Sequence, residues 1–175
     1  EAKGRIVLFN VPFTEYRETV IVRTQGAVHA ARAGALASLI RSVGPFSMQT
    51  PHTGGMSYAD GVKKIPHAAL SLEDANMLSR MAARGEPIRV RLKMEARTLP
   101  DGISRNVIAE IPGREKPEEI VIVSGHIDSW DVGQGAMDDG GGCLAAWEAA
   151  RLMFQLGLRP KRTVRVVLWT NEENG

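Results

Sequence analysis

Two adjacent glutamates, Glu172 and Glu173, follow a largely apolar run from Val164 to Thr170, and a His126-Ile-Asp128 segment and an Asp138-Asp139-Gly turn precede them. Imidazole nitrogen and carboxylate oxygen are donors that zinc and similar cations accept. His126 can ligate through one ring nitrogen while Asp128 holds the other, the usual arrangement behind a metal-bound imidazole. Asp138 or Asp139 enters a glycine-rich turn, where backbone approaches a metal closely and unusual dihedrals cost little. The glutamates impose a geometric condition. Neighbours in a continuing strand face opposite sides, so both serve one site only if the strand has ended, as Asn171 and Asn174-Gly175 allow. One glutamate would then bind metal while the other takes a proton from a metal-bound water.

Each feature alone has a plainer reading. A His-x-Asp is commonly a surface pair, a Glu-Glu is commonly solvated, and Asp-Asp-Gly-Gly-Gly is commonly a turn. Their convergence at expected strand ends within one crossover unit favours a metal site. Ser124 and Ser129 beside His126 and Asp128 invite a serine-hydrolase reading, but no Gly-x-Ser-x-Gly elbow is present. Gly140-Gly-Gly142 before a helix could receive phosphate, yet no Gly-Lys-Ser/Thr follows and two aspartates would repel an anion. His29 reads as a helix-surface residue, His52 as a loop residue and His67 as partly buried. Trp130 and Trp169 flank the cluster, and Trp169 reads simply as core. Cys143, the single cysteine, rules out an internal disulfide and reads as a buried inert thiol on a helix.

The elements that must position these groups follow from apolar spacing. Arg5–Phe9 and Val20–Val22 read as short strands. Gly26–Val43 carries a helical stripe (Val28, Ala31, Ala35, Leu36, Leu39, Ile40) that stops at Gly44. Pro45–Pro66 is loop chemistry, and His67–Ser71 a further strand. Ser71 and Asp74 open a capped helix ending at Gly85. Pro87–Met94 alternates as a strand should. After a boundary at Thr98–Gly102, Asn106–Ile111 and Ile120–Val123 read as strands joined closely enough for an antiparallel pair. A helix follows from about Gly141 to Leu156. Thr163–Thr170 is apolar almost throughout and suits a strand covered on both faces. Strand, helix, strand implies a parallel crossover, and in such α/β sheets sites lie beyond the carboxyl ends of the strands.

With 43% hydrophobic and 24% charged residues, the 175-residue chain has the composition of a globular protein with a real core, and its order of strands and helices reads as α/β. Its net charge is +2, and Lys and Arg are dispersed rather than striped among aromatics. Nucleic acid is therefore not an expected partner. No apolar run reaches membrane-spanning length, so no membrane partner is expected either. The chain starts at Glu1 without methionine and ends just past a strand, which reads as a piece excised from a longer protein. The lack of a targeting segment then carries no message about compartment.

The ordered segments Ser124-Gly-His126-Ile-Asp128-Ser129-Trp130, Gly135-Ala-Met-Asp138-Asp139-Gly140 and Glu172-Glu173 resemble the co-catalytic di-zinc aminopeptidase and carboxypeptidase family. The likeness extends to Leu158-Arg-Pro-Lys-Arg162 and, in the first half, to Thr24–Ala27, Gly34–Ser42 and Pro51–Gly54. It implies a protease-associated-like cap at 1–98. At 104–175 it implies the truncated start of a zinc-exopeptidase α/β/α domain. It makes His126 a ligand of one zinc, Asp138 the carboxylate bridging both zincs and Glu173 a ligand of the other. Glu172 becomes the general base and Asp128 the residue that orients His126, with a cis peptide between Asp138 and Asp139. The implied reaction is hydrolysis of dipeptides or short peptides with free termini by a hydroxide held between two zinc ions. A further Asp and His ligand would lie beyond Gly175. The segment alone is thus expected to be inactive, to bind metal weakly and to expose a sheet edge. The likeness also implies a secreted or lysosomal homodimer. The rival readings are a non-catalytic relative that keeps the fold for binding, and an interaction module centred on residues 1–98.

Overall fold

A computed structural model describes residues 1–131 and 133–174, and it divides into two compact units, Glu1–Thr98 and Leu99–Gly175. The first unit holds β1 (Ile6–Phe9), α1 (Tyr16–Thr19), α2 (Ile21–Arg32), β2 (Ala37–Arg41), β3 (His67–Leu70) and α3 (Leu72–Ala83). Its sheet is parallel with order β1-β2-β3. The central strand, Ala-Ser-Leu-Ile-Arg, is buried at its first four positions. Small residues on α2 (Gly26, Ala27, Ala30) let that helix lie close to the sheet, and a Cβ at Gly26 would already crowd Phe9 and His67 at 3.3 Å.

Three expectations fail in this unit. The Val20–Val22 run is not a strand: Val20 caps α1, and Ile21 starts α2. Three β-branched residues are too short a run to override the helix that continues beyond them. The helix expected over Gly26–Val43 stops at Arg32, because Gly34 turns the chain at φ +80 while the amides of Ala33, Gly34 and Ala35 close on His29, Ala31 and Ala30. The apolar residues beyond that turn become β2. A short apolar run fits helix and strand equally, and here burial between two neighbouring strands decides. Pro87–Met94 makes no ladder. Ile88 and Val90 instead line a pocket of about 480 Å³ with Ile6, Leu8 and Leu39, so their side chains are engaged without backbone pairing. The α3 start follows expectation: Ser71 caps it by accepting the amide of Asp74 at 3.1 Å, and Gly85 ends it at φ +74.

The second unit contains β4 (Val107–Ile111), β5 (Lys116–His126), α4 (Gly140–Gln155), β6 (Arg162–Trp169) and a 3₁₀ turn at Glu172–Asn174. The sheet order is β4-β6-β5, with β4 antiparallel and β5 parallel to β6. β4 and β5 therefore do not pair with each other, contrary to the hairpin expected from their short connection. That connection steps over the start of β6: Arg114 donates to the Pro160 carbonyl, Lys116 to the Lys161 carbonyl, and Gly113 to Thr163 Oγ1 at 3.1 Å. Strands two apart in a sheet lie about 10 Å from each other, within reach of four extended residues. The central place goes to β6 because Val166 and Val167, facing opposite sides, are both buried. Trp169 does not join that core; it is 39% exposed at the end of β6. The parallel crossover β5–α4–β6 is present as expected.

Candidate metal centre

His126 is the last residue of β5 and is buried, at 8% exposure. Three neighbours fix the strand end there. The amide of His126 donates to Asp139 Oδ2 at 3.1 Å, its carbonyl accepts the Cys143 thiol at 3.0 Å, and the next amide, Ile127, donates to the Trp169 carbonyl at 2.7 Å. Asp139 uses its other oxygen to cap α4, accepting the Gly142 amide at 3.0 Å. One carboxylate thus ties the end of β5 to the start of α4. Gly125 makes that approach possible, because a Cβ there would lie 2.6 Å from the Cys143 nitrogen and 2.7 Å from Asp139 Oδ2.

With Asp139 committed to capping, Asp138 is the carboxylate that faces His126. Its Oδ1 lies 3.0 Å from His126 Nε2, and its side chain is 81% exposed. The peptide between the two aspartates is cis. After β6 ends, Asn171 takes φ +69 and the chain coils into the 3₁₀ turn, so Glu172 and Glu173 escape strand alternation. Glu172 Oε2 lies 3.7 Å from His126 Nε2 on a side chain 58% exposed. Donor atoms of His126, Asp138 and Glu173 all lie within 4.8 Å of one another. Donors about 2.0–2.2 Å from one cation stand no more than about 4.4 Å apart, so this set needs only small adjustments to close on a metal. One nitrogen and two carboxylates is also the chemistry zinc accepts.

Asp128 does more than stand behind His126. Its Oδ1 accepts the Glu172 amide and its Oδ2 the Glu173 amide, each at 3.1 Å. His126 Nδ1 is 2.9 Å from the Asp128 backbone carbonyl and 3.4 Å from its carboxylate. The carbonyl is therefore the ring's nearer partner, and the carboxylate principally clamps the glutamate turn. Burial works against the His126 imidazolium, but the Asp128 carbonyl, the Asp138 carboxylate and the charges of Glu172 and Asp128 outweigh it and raise its pKa. Burial likewise works against the Asp128 carboxylate, and the two glutamate amides outweigh it, lowering its pKa. Cys143 is half-buried rather than buried, with its pKa raised by desolvation and by the nearby Asp139 charge.

Two contributors escaped the sequence reading. Asp139 before three glycines at a helix start carries the signature of a capping residue, which separates its role from that of Asp138. Trp130 was visible only as a flanking aromatic, whereas its indole Nε1 donates to Glu173 Oε2 at 2.9 Å. His29, His52 and His67 belong to the first unit, and none is among the clustered donors.

Comparison with known proteins matches residues 106–175, the stretch that contains every one of these groups, to the model of peptidase family M28. The likeness is not confined to the M28 segment. Carboxypeptidase Q from Homo sapiens is 61% identical over all 175 residues, which cover 37% of that protein, and carboxypeptidase Q from Xenopus laevis shows the same identity and coverage. The crystal structure of a peptidase M28 precursor from Shewanella amazonensis SB2B superposes with a TM-score of 0.85 at 35% identity, covering 99% of this chain and 41% of that one. The fold outside the M28 segment is thus shared with such proteins too. The chain spans well under half the length of the relatives it matches.

Proposed function

We propose that this chain carries part of the active site of a zinc-dependent exopeptidase that hydrolyses dipeptides or short peptides with free termini. The observation that supports this reading most directly is the convergence of His126, Asp138 and Glu173 donors within 4.8 Å, inside a segment of a peptidase family. His126 would hold one zinc ion, Glu173 a second, and Asp138 would lie between them. When bound, two zinc ions would polarise the scissile carbonyl and lower the pKa of water.

The remaining work falls to the chain's own residues. Glu172 is exposed and beside His126 without being one of the three clustered donors, which suits a general base that takes a proton from the attacking water and passes it to the leaving amine. Asp128 keeps both glutamates in register through their amides and holds the His126 ring through its carbonyl. The family pattern adds an Asp and a His ligand beyond these residues, so the 175-residue chain alone is inactive. Residues 1–98 form a protease-associated-like cap. By its likeness to carboxypeptidase Q, the complete protein is a secreted or lysosomal homodimer. No helix among the described residues is long and apolar enough to cross a membrane.

The test is hydrolysis of a dipeptide panel by the complete protein, stripped of metal and then reconstituted with zinc. Cleavage should require zinc and should fall by about 10²–10⁴ in Glu172→Gln while two zincs stay bound. A protein that neither cleaves peptides nor binds metal would leave a non-catalytic binding role instead.

A further inference from the structure

We propose that Trp130 is a positioning residue for the metal centre: its indole N–H sets the orientation of the Glu173 carboxylate. The inference rests on the reading of Glu173 as a metal ligand given above. A glutamate's terminal torsion is broad, with no strongly preferred setting of its own, so a fixed external donor decides which way the two oxygens point. Trp130 supplies one, with Nε1 2.9 Å from Glu173 Oε2. The indole nitrogen is a donor only, so the polarity of this bond cannot reverse. It is also uncharged, so it orients the carboxylate without neutralising it, as a lysine or arginine in its place would.

The placement of Trp130 points the same way. It follows Asp128 by two residues on the segment leaving β5, and Asp128 already holds the backbone amides of Glu172 and Glu173 at 3.1 Å each. One short segment therefore fixes the glutamate turn twice, Asp128 through the backbone and Trp130 through the side chain. Glu173 is half-buried and Glu172 exposed, and only Glu173 has the indole partner. The two neighbouring glutamates are thereby made unlike: one is held for ligation, the other is left able to move a proton.

Trp130→Phe keeps an aromatic ring and removes the N–H. Isothermal titration of the metal-free complete protein with zinc should show one of two equivalents weakened by about 10–100-fold, the usual effect of losing a ligand's hydrogen-bond partner. The visible absorption of the cobalt-substituted variant should change as well. A purely structural role for the ring would lower Tm and leave zinc affinity and cobalt spectrum unchanged. That result, in a protein whose wild type binds two zincs, would overturn the proposal and leave the peptidase reading standing. Should Trp130→Phe fail to fold, the wild-type indole decides. With three tryptophans in the chain, the Trp130 indole proton can be assigned by ¹⁵N labelling, and it should lose its downfield shift in Glu173→Ala. An unmoved resonance would overturn the proposal. A wild type that binds no zinc overturns the peptidase reading, and the positioning role with it.

Discussion

The imidazole of His67 is fixed in a single neutral tautomer. Its Nε2 faces the Arg23 carbonyl at 3.1 Å, which can only accept, so Nε2 carries the proton and Nδ1 accepts from the buried Ser38 hydroxyl at 2.7 Å. Burial lowers its pKa, more than the Arg23 carbonyl raises it. The folded state therefore disfavours the imidazolium. Stability is fully present above the ordinary value of about 6.5 and is lost as pH falls through that value towards the depressed folded pKa. Urea denaturation at pH 7.5 and 5.5 should show a loss on acidification that is smaller in His67→Gln than in wild type. At this scale the sequence singled out His126, Asp138 and Glu173, which the fold gathers within 4.8 Å, because few residue types can ligate and their order is distinctive. Between Asp138 and Asp139 only the family resemblance chose, although Asp139 before three glycines also carries a capping signature. The sequence carried no sign of the Trp130–Glu173 bond, since a contact across 43 residues depends on where β5 and β6 end side by side.

Gly125 belongs to the junction of two elements. A methyl group at this position would collide with the backbone at Gly142 and Cys143 and with the Asp139 carboxylate, all within 2.8 Å. Two of the three contacts are to helix backbone, which cannot swing aside as a side-chain end can, so α4 must shift away from β5. Gly125→Ala should destabilise the protein by about 1–3 kcal/mol, the range for overpacking a tight site. It should also weaken zinc binding, because the Asp139 bridge to the His126 amide would be stretched; chemical denaturation and zinc titration check the two effects. Elements with strong end signals were legible in advance, as with α3 between Ser71 and Gly85 or α4 before Gly157. Val20–Val22, Gly26–Val43 and Pro87–Met94 were not, because their patterns satisfy more than one period or lack a partner strand. The pairing of β4 was hidden for a different reason. Nothing local records that β6 will come between it and β5.

The two units differ in how completely each covers its own apolar surface. In Leu99–Gly175, β5 is an edge strand among the described residues, and Ile122 on it is 51% exposed. Trp147, Phe154 and Leu144 on α4 are exposed as well. Unpaired edges with apolar side chains template association. Expressed as these 175 residues, the chain should self-associate with rising concentration in sedimentation velocity, and Ile122→Lys should reduce that association. The α/β class and the parallel crossover were readable from the sequence, whereas edge and centre were assigned only by the fold. The sheet order has a further consequence, for synthesis. Among the described strands of its unit β6 is made last, yet it is the one with which both β4 and β5 pair. The ribosome adds 43 residues between the end of β5 at His126 and the end of β6 at Trp169, roughly 2–9 s at 5–20 residues per second. Throughout that interval two finished strands wait without a neighbour. Both strands keep an edge unpaired until the strand that leads to Glu172 and Glu173 has emerged.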